Sequence, residues 1–156
     1  MCANRKILPA ISPWPPATIT CERSYISAVS FLPSTPAGAL MAQAARAGME
    51  ALSLSLFAKR PSNGVTAVNV PAGVDGKQLT KLMYDQSKVM VAGGQGEMAG
   101  KIFRFAHMGY ISPEDVLAGF AALEQALKAL TYRFTAGSSV KAAQAVLQQP
   151  AAAAVR

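Results

Sequence analysis

The chain has 156 residues, of which 51% are hydrophobic, and these values suit one globular domain with a sizeable core. Fifteen Lys and Arg residues against eight Asp and Glu residues give a formal net charge of +7. The basic residues are scattered, and none of them form a cluster interleaved with aromatic side chains, so we expect no nucleic-acid binding. No stretch approaches the roughly 18 consecutive apolar residues of a membrane span, so we expect a cytoplasmic protein without membrane contact.

The first 36 residues are predicted to be an irregular, disordered lead-in. They are rich in proline and show neither helical nor strand periodicity. Prolines also interrupt the apolar residues behind Arg5 and Lys6, well short of a signal-peptide core. Cys2 and Cys21 have no CxxC spacing and no nearby histidine, which indicates neither a metal site nor a redox motif. A disulfide between them stays open, and reduced thiols are the simpler interpretation.

A long helix is predicted next, over residues 36–54. Ser34 or Thr35 is its expected N-cap, and Pro36 occupies the first helical position, where a missing N–H costs nothing. Apolar residues then recur at a spacing of three and four, which is typical of a helix with one buried stripe. Downstream, the sequence predicts a strand, a second helix and a buried strand, at 65–70, 77–87 and 89–91.

A glycine-rich loop follows these elements. It contains the five residues that we predict to shape a pocket wall, Gly93, Gly94, Gln95, Gly96 and Gly100. So many glycines in a short stretch indicate positive φ angles or a close approach of the backbone to another group. A phosphate-binding P-loop is a poor match, because such a loop needs Ser or Thr after its lysine and then a helix, whereas Lys101 is followed by Ile102 and a strand.

The strand after this loop carries a lone arginine between two phenylalanines. Because side chains alternate across a strand, Phe103, Phe105 and His107 are predicted to share the core face, and Arg104 to project from the other face. A planar guanidinium can hold a carboxylate through two parallel hydrogen bonds. The alternative is a structural salt bridge from Arg104 to Glu97 or Asp85.

Two other residues of this region are candidates for chemistry. Lys101 is a conceivable Schiff-base lysine, but no hydrophobic pocket is implied around it, so we interpret it as a solvated loop residue. His107 is the only histidine and has no nucleophile at a recognisable spacing, which favours a structural role over a catalytic one. The sequence therefore assigns no catalytic residue and no metal ligand.

The last predicted helix begins after Ser112, with Pro113 in its first turn and Asp115 in the capping-box position. Glu124 and Lys128 have the spacing of an ion pair on its outer face. From residue 136 onward we predict a weakly helical to disordered tail. The fold class that follows is α+β, a small three-stranded sheet covered by helices, with a long preceding helix.

Two stretches resemble a known family, the class V, pyridoxal-phosphate-dependent aminotransferases of the alanine–glyoxylate and serine–pyruvate branch. The first is GGQGEMAGKIFRFAHMGYISPEDVLAGFAALEQAL, and the second, upstream, is AGMEALSLSLFAKRPSNGVTAVNVPAGVDGKQL. Both match the C-terminal small domain of that family. Phe105 and Ala106 depart from the pattern, since the family has Ile and Gly at these positions. The resemblance covers roughly residues 41–131. Together with the composition it predicts three segments: a lead-in at 1–36, the small domain at 37–135 and the tail at 136–156.

The resemblance also implies a function. In the family the residue matched by Arg104 binds the α-carboxylate of the amino-acid or 2-oxo-acid substrate, and the cofactor lysine belongs to a large domain that has no counterpart in these residues. We therefore expect a truncated aminotransferase, inactive alone, with no pyridoxal phosphate bound to this chain by itself. Whether it acts as part of an enzyme stays open at this point. The alternative is a non-catalytic accessory or interaction domain, and in either case we expect self-association or a partner domain.

Overall fold

The computed structural model describes residues 35–149, which contain four helices and a small sheet. In chain order the elements are α1 (Pro36–Ala51), β1 (Val65–Asn69), α2 (Gly76–Ser87), β2 (Ala92–Gly93), a 3-10 turn (Gly96–Met98), β3 (Ile102–Ala106), α3 (Pro113–Ala129) and α4 (Ser138–Leu147). The predicted α+β fold with a three-stranded sheet is confirmed. The predicted lead-in, apart from its last two residues, and both cysteines lie outside the described residues. Between residues 35 and 149 no helix is long and apolar enough to cross a membrane.

Two helix starts follow from their capping residues, as predicted. At α1 the hydroxyl of Thr35 accepts a hydrogen bond from the backbone N–H of Gly38 at 3.0 Å. At α3 the hydroxyl of Ser112 accepts from the N–H of Asp115 at 3.2 Å, and the Asp115 carboxylate accepts from the N–H of Ser112 at 2.8 Å. This reciprocal capping box satisfies two backbone donors that the helix itself leaves unpaired.

The sheet has the order β1-β3-β2 with both pairs antiparallel, so β3 is its central strand. The predicted buried strand at 89–91 is wrong, because β2 is a two-residue strand at Ala92–Gly93 and Met90 is exposed. The reason is local: Lys88 adopts a left-handed conformation with φ of 57°, and the N–H of Val89 still bonds to the carbonyl of Met83 in α2. The chain therefore joins the sheet only at Ala92, where it lies opposite Arg104.

The core lies on one face of β3, against α1 and α3. Phe103 and Phe105 are buried, and the Phe105 ring stacks on that of Phe120 with centroids 5.2 Å apart. Gly119 lies directly under Phe105, where an added Cβ would come within 2.6 Å of the ring. The large residue that departs from the family pattern is thus accommodated by a glycine in the second turn of α3.

The C-terminal segment, predicted to be weakly helical to disordered, contains a helix, and residues 150–156 lie outside the described residues. Residues 138–147 form a regular helix, α4, which packs along α1 and buries Ser139 and Ala143. Both carboxylate oxygens of Glu124 accept hydrogen bonds at the start of α4, from the N–H of Gly137 at 2.6 Å and from the N–H and hydroxyl of Ser139 at 3.1 and 2.6 Å. The predicted ion pair between Glu124 and Lys128 is therefore wrong, because the carboxylate caps α4 instead.

Candidate functional site

Arg104 projects from β3 on the face opposite the core, as the strand alternation predicts. Its side chain is half-buried, and its Nε–H donates to the carbonyl oxygen of Gly93 at 3.2 Å. The other four N–H donors of the guanidinium have no partner among residues 35–149. In particular, that part of the chain shows no ion pair from Arg104 to Glu97 or Asp85, the alternative partners considered from sequence. One edge of the guanidinium is thus held in place while its remaining donors are open.

The glycine-rich loop has a geometry that requires glycine. Gly100 has a φ of 75°, in the left-handed region, and a Cβ on Gly94 would collide with the backbone carbonyl of Met98. Within the loop, Gly93 contributes the carbonyl that holds Arg104, and Gln95 precedes the 3-10 turn as an exposed residue. The role of residues 93–100 as a pocket wall remains a prediction.

A groove with a volume of about 540 Å³ adjoins Arg104. It lies beside β3 where β2 has already ended, since β2 pairs only with Phe103 and Arg104. Apolar side chains form most of its walls: Val89 and Val91 from the segment before β2, and Ile111 and Ala118 from the start of α3 and the residues before it. None of residues 93–100 lines it.

Sequence reasoning did not find these wall residues. Ile111 precedes the N-cap of α3, and an apolar residue there commonly packs against the first helical turn, so one signal was present. The apolar character of Val89 and Val91 predicts a buried strand and not the wall of a groove. What brings the two segments together is the order of the strands, which places β2 at the edge of the sheet beside α3.

Two charged residues line the groove, Arg104 and Asp115. The Asp115 carboxylate is engaged by the N–H of Ser112, in the capping box described above. Arg104 is the only one of the two with donors free to bind a ligand, and these donors suit an anion that has two parallel acceptor oxygens.

His107 lies on the core face of the same strand and is fully buried. Its Nε2 is 2.9 Å from the hydroxyl of Thr66, while its Nδ1 has no hydrogen-bond partner among the described residues. Burial, and secondarily the positive charge of Arg46, lowers the pKa of His107 to about 4, and nearby backbone groups of His107 and Asn63 act in the opposite direction by less. The imidazole is therefore neutral at neutral pH.

Pyridoxal phosphate does not fit the described residues. The cofactor requires a lysine amine near its reacting carbon and an acidic partner for its ring nitrogen. All lysines between residues 35 and 149 are exposed, and none lines the groove. The acid in the groove, Asp115, is committed to its helix cap. We therefore assign no step of cofactor chemistry to these residues.

Comparison with known proteins finds relatives that are mostly aminotransferases. No family profile matches the sequence. The chain is 43% identical over 108 residues to a Synechococcus protein described as the small subunit of a soluble hydrogenase, and 39% identical over 109 residues to an uncharacterised aminotransferase of Methanocaldococcus jannaschii. These matches cover 67% and 69% of this chain and 28% of each relative. The serine–glyoxylate aminotransferase of Arabidopsis thaliana is 33% identical over 113 residues, which are 70% of this chain and 28% of that protein.

A solved structure agrees with these relatives. The ureidoglycine–glyoxylate aminotransferase of Bacillus subtilis superposes with a TM-score of 0.68 at 32% identity, over 72% of this chain and 30% of that one. The chain thus spans less than a third of the length of the proteins it matches. The region of similarity is the C-terminal part of those proteins. In sequence and in fold, this chain is homologous to the C-terminal region of the class V, pyridoxal-phosphate-dependent aminotransferases of the alanine–glyoxylate and serine–glyoxylate type.

Proposed function

We propose that this chain is the substrate-carboxylate-binding part of an aminotransferase of the alanine–glyoxylate or serine–glyoxylate type. In the reaction of the whole protein, an amino group moves between an amino acid and a 2-oxo acid, and pyridoxal phosphate supplies the electron sink when bound. The contribution of this chain is to bind the substrate through its carboxylate and to orient it.

The observation that carries this proposal is the state of Arg104. Its Nε–H is used by Gly93, four donors are open, and an apolar groove lies beside it. A guanidinium in a partly dehydrated setting interacts more strongly with a carboxylate than one in bulk water does. Its planar arrangement of donors also fixes the orientation of the bound acid, which a lysine ammonium does not.

The test is Arg104→Lys, which keeps the positive charge and removes the planar set of parallel N–H donors. We expect the dissociation constant for pyruvate, measured by NMR titration of the full chain, to rise about tenfold or more, because a hydrogen bond to a charged group contributes roughly 1.5 to 3 kcal/mol. Arg133→Lys is the matched control, since Arg133 is exposed and lies outside the groove. An unchanged dissociation constant together with a lower melting temperature would assign Arg104 a structural role and refute the proposal.

The isolated chain is not expected to transaminate. None of its described lysines lies in a setting that suits the cofactor, and the chain spans only 28% of the first relatives' length. The measurement is turnover of alanine with glyoxylate in the presence of pyridoxal phosphate, compared with the cofactor alone. A rate above that control would contradict the expected inactivity and leave the carboxylate-binding proposal intact.

One observation favours the alternative, an accessory or interaction domain. Large apolar side chains are exposed beside the groove, among them Met90 at 79% and Tyr110 at 89%. Clusters of exposed apolar surface commonly mark a contact with another protein or domain. Gel filtration and binding of a hydrophobic dye distinguish the cases: a stable oligomer that binds no 2-oxo acid supports the interaction domain, and a monomer without dye binding contradicts it.

A further inference from the structure

The groove beside Arg104 is larger and more apolar than a small polar substrate requires. Its volume of about 540 Å³ lies within the range of about 300 to 1,000 Å³ that is typical of pockets for drug-sized ligands. A water molecule occupies only about 30 Å³ of liquid, and the carbon skeletons of glyoxylate or pyruvate amount to a few such volumes. The groove therefore has room for a substituent beyond the carboxylate.

The chemistry of the walls selects the substituent. Val89, Val91, Ile111 and Ala118 offer only hydrocarbon surface, and hydrocarbon is what such surface binds favourably in water. Asp115 adds a negative charge at the α3 side of the groove. A second carboxylate on the ligand would lose hydration against the apolar walls and would be repelled by this charge.

We propose that the ligand held by Arg104 is a monocarboxylic 2-oxo acid or amino acid with an apolar side chain, which lies in the groove. This inference rests on the proposed function for the carboxylate anchor and names the substrate class of that site. Side chains of two to four carbons are favoured over none, and dicarboxylic acids are disfavoured.

The experiment is an NMR titration of the full chain with a series of 2-oxo acids: glyoxylate, pyruvate, 2-oxobutanoate, 2-oxohexanoate and 2-oxoglutarate. We expect the affinity to rise with each added methylene, by at most about fourfold, the value for full burial of a CH₂ group. We expect 2-oxoglutarate to bind more weakly than 2-oxohexanoate. An affinity that does not rise with chain length overturns the inference, and so does stronger binding of 2-oxoglutarate than of 2-oxohexanoate.

A pair of variants locates the effect in the groove. Ala118 is exposed on α3 and lines the groove, so Ala118→Leu fills part of it while keeping a good helix former. We expect this variant to lose the gain in affinity with the length of the acid's side chain. Ala121→Leu, on the same helix but outside the groove, is the control and keeps the gain. A gain that persists in Ala118→Leu overturns the inference.

Failure of this inference differs from failure of the proposed function. Arg104→Lys could weaken the binding of every acid equally while the affinity does not change with chain length. In that case the carboxylate anchor stands and the apolar subsite is refuted. If the series rises with chain length but Arg104→Lys changes nothing, the groove binds hydrocarbon without the anchor. That outcome refutes both the proposed function and the substrate class derived from it.

Discussion

Arg104 and His107 lie three residues apart in and just after β3, yet the two faces of the sheet give them opposite properties. His107 is fully buried, contacts the Thr66 hydroxyl and is held neutral. Arg104 is half-buried, is held by one carbonyl and keeps four open donors beside a groove. Two basic side chains on one short segment thus become a structural group and a candidate ligand-binding group.

The cause of the difference is the cover over each face. The core face is packed by α1 and α3, with Phe120 against Phe105 and with Gly48 of α1 close against the Phe120 ring. The other face carries Ala106, which is exposed, and Arg104. Since a charged group buried without a partner is costly, the covered face keeps its histidine uncharged, whereas the open face tolerates a permanent cation. The charge state of these two side chains and their availability to a ligand therefore depend on burial more than on residue type.

The largest effect is expected from removal of a core side chain on the covered face. Phe103→Ala should lower the free energy of unfolding by about 3 to 5 kcal/mol, because it removes a fully buried aromatic ring and leaves a cavity. The matched change on the open face, Ala106→Ser, should alter it by no more than about 0.5 kcal/mol. Urea unfolding of both variants checks the difference. Equal losses would mean that the two faces are not energetically distinct.

A second prediction concerns the pKa of His107. Its folded value of about 4 lies below the ordinary 6.5, so the unfolded state binds a proton more readily. The stability that the neutral ring provides is complete above pH 6.5 and is lost as the pH falls toward about 4. By linkage, the loss amounts to about 2 kcal/mol at pH 5 and about 3 kcal/mol at pH 4.

Because His107 is the only histidine, its ring protons can be followed by NMR without assignment of a second one. The titration should show a midpoint near pH 4 in the folded protein. His107→Asn provides the control, since its unfolding free energy should lack the decline between pH 6.5 and 5. A midpoint at 6 or above would show that the ring is accessible to water and would remove the contrast with Arg104.

The smallest effect is expected from the partner of His107. Thr66→Val keeps the side-chain shape but removes the hydroxyl, which leaves the buried Nε2 without its partner at 2.9 Å. We expect a loss of about 1 to 3 kcal/mol, the cost of an unsatisfied buried polar group. Val65→Thr is the converse exchange at the neighbouring residue, whose side chain points to the opposite face, and should change the stability by less than about 0.5 kcal/mol. Thermal denaturation checks this prediction. An unchanged melting temperature for Thr66→Val would indicate that this hydrogen bond contributes nothing to stability.

The amino-acid sequence by itself determined the local features. Thr35 and Ser112 start their helices because the side chain of each caps its own backbone, and the alternation along β3 assigns Arg104 and His107 to opposite faces. These outcomes depend on residues within a few positions of one another, so periodicity and capping rules predict them. Gly96 and Gly100 in the loop belong to the same class, since a positive φ is a property of one residue.

Tertiary structure alone decided the rest. Glu124 could pair with Lys128 along its helix, but α4 folds back and presents backbone N–H groups that bind the carboxylate better. The groove depends on Val91 and Ile111, 20 positions apart in the sequence, being brought together beside an edge that β2 leaves unpaired. No local pattern encodes that meeting, because it is set by the strand order and by which helix covers which face.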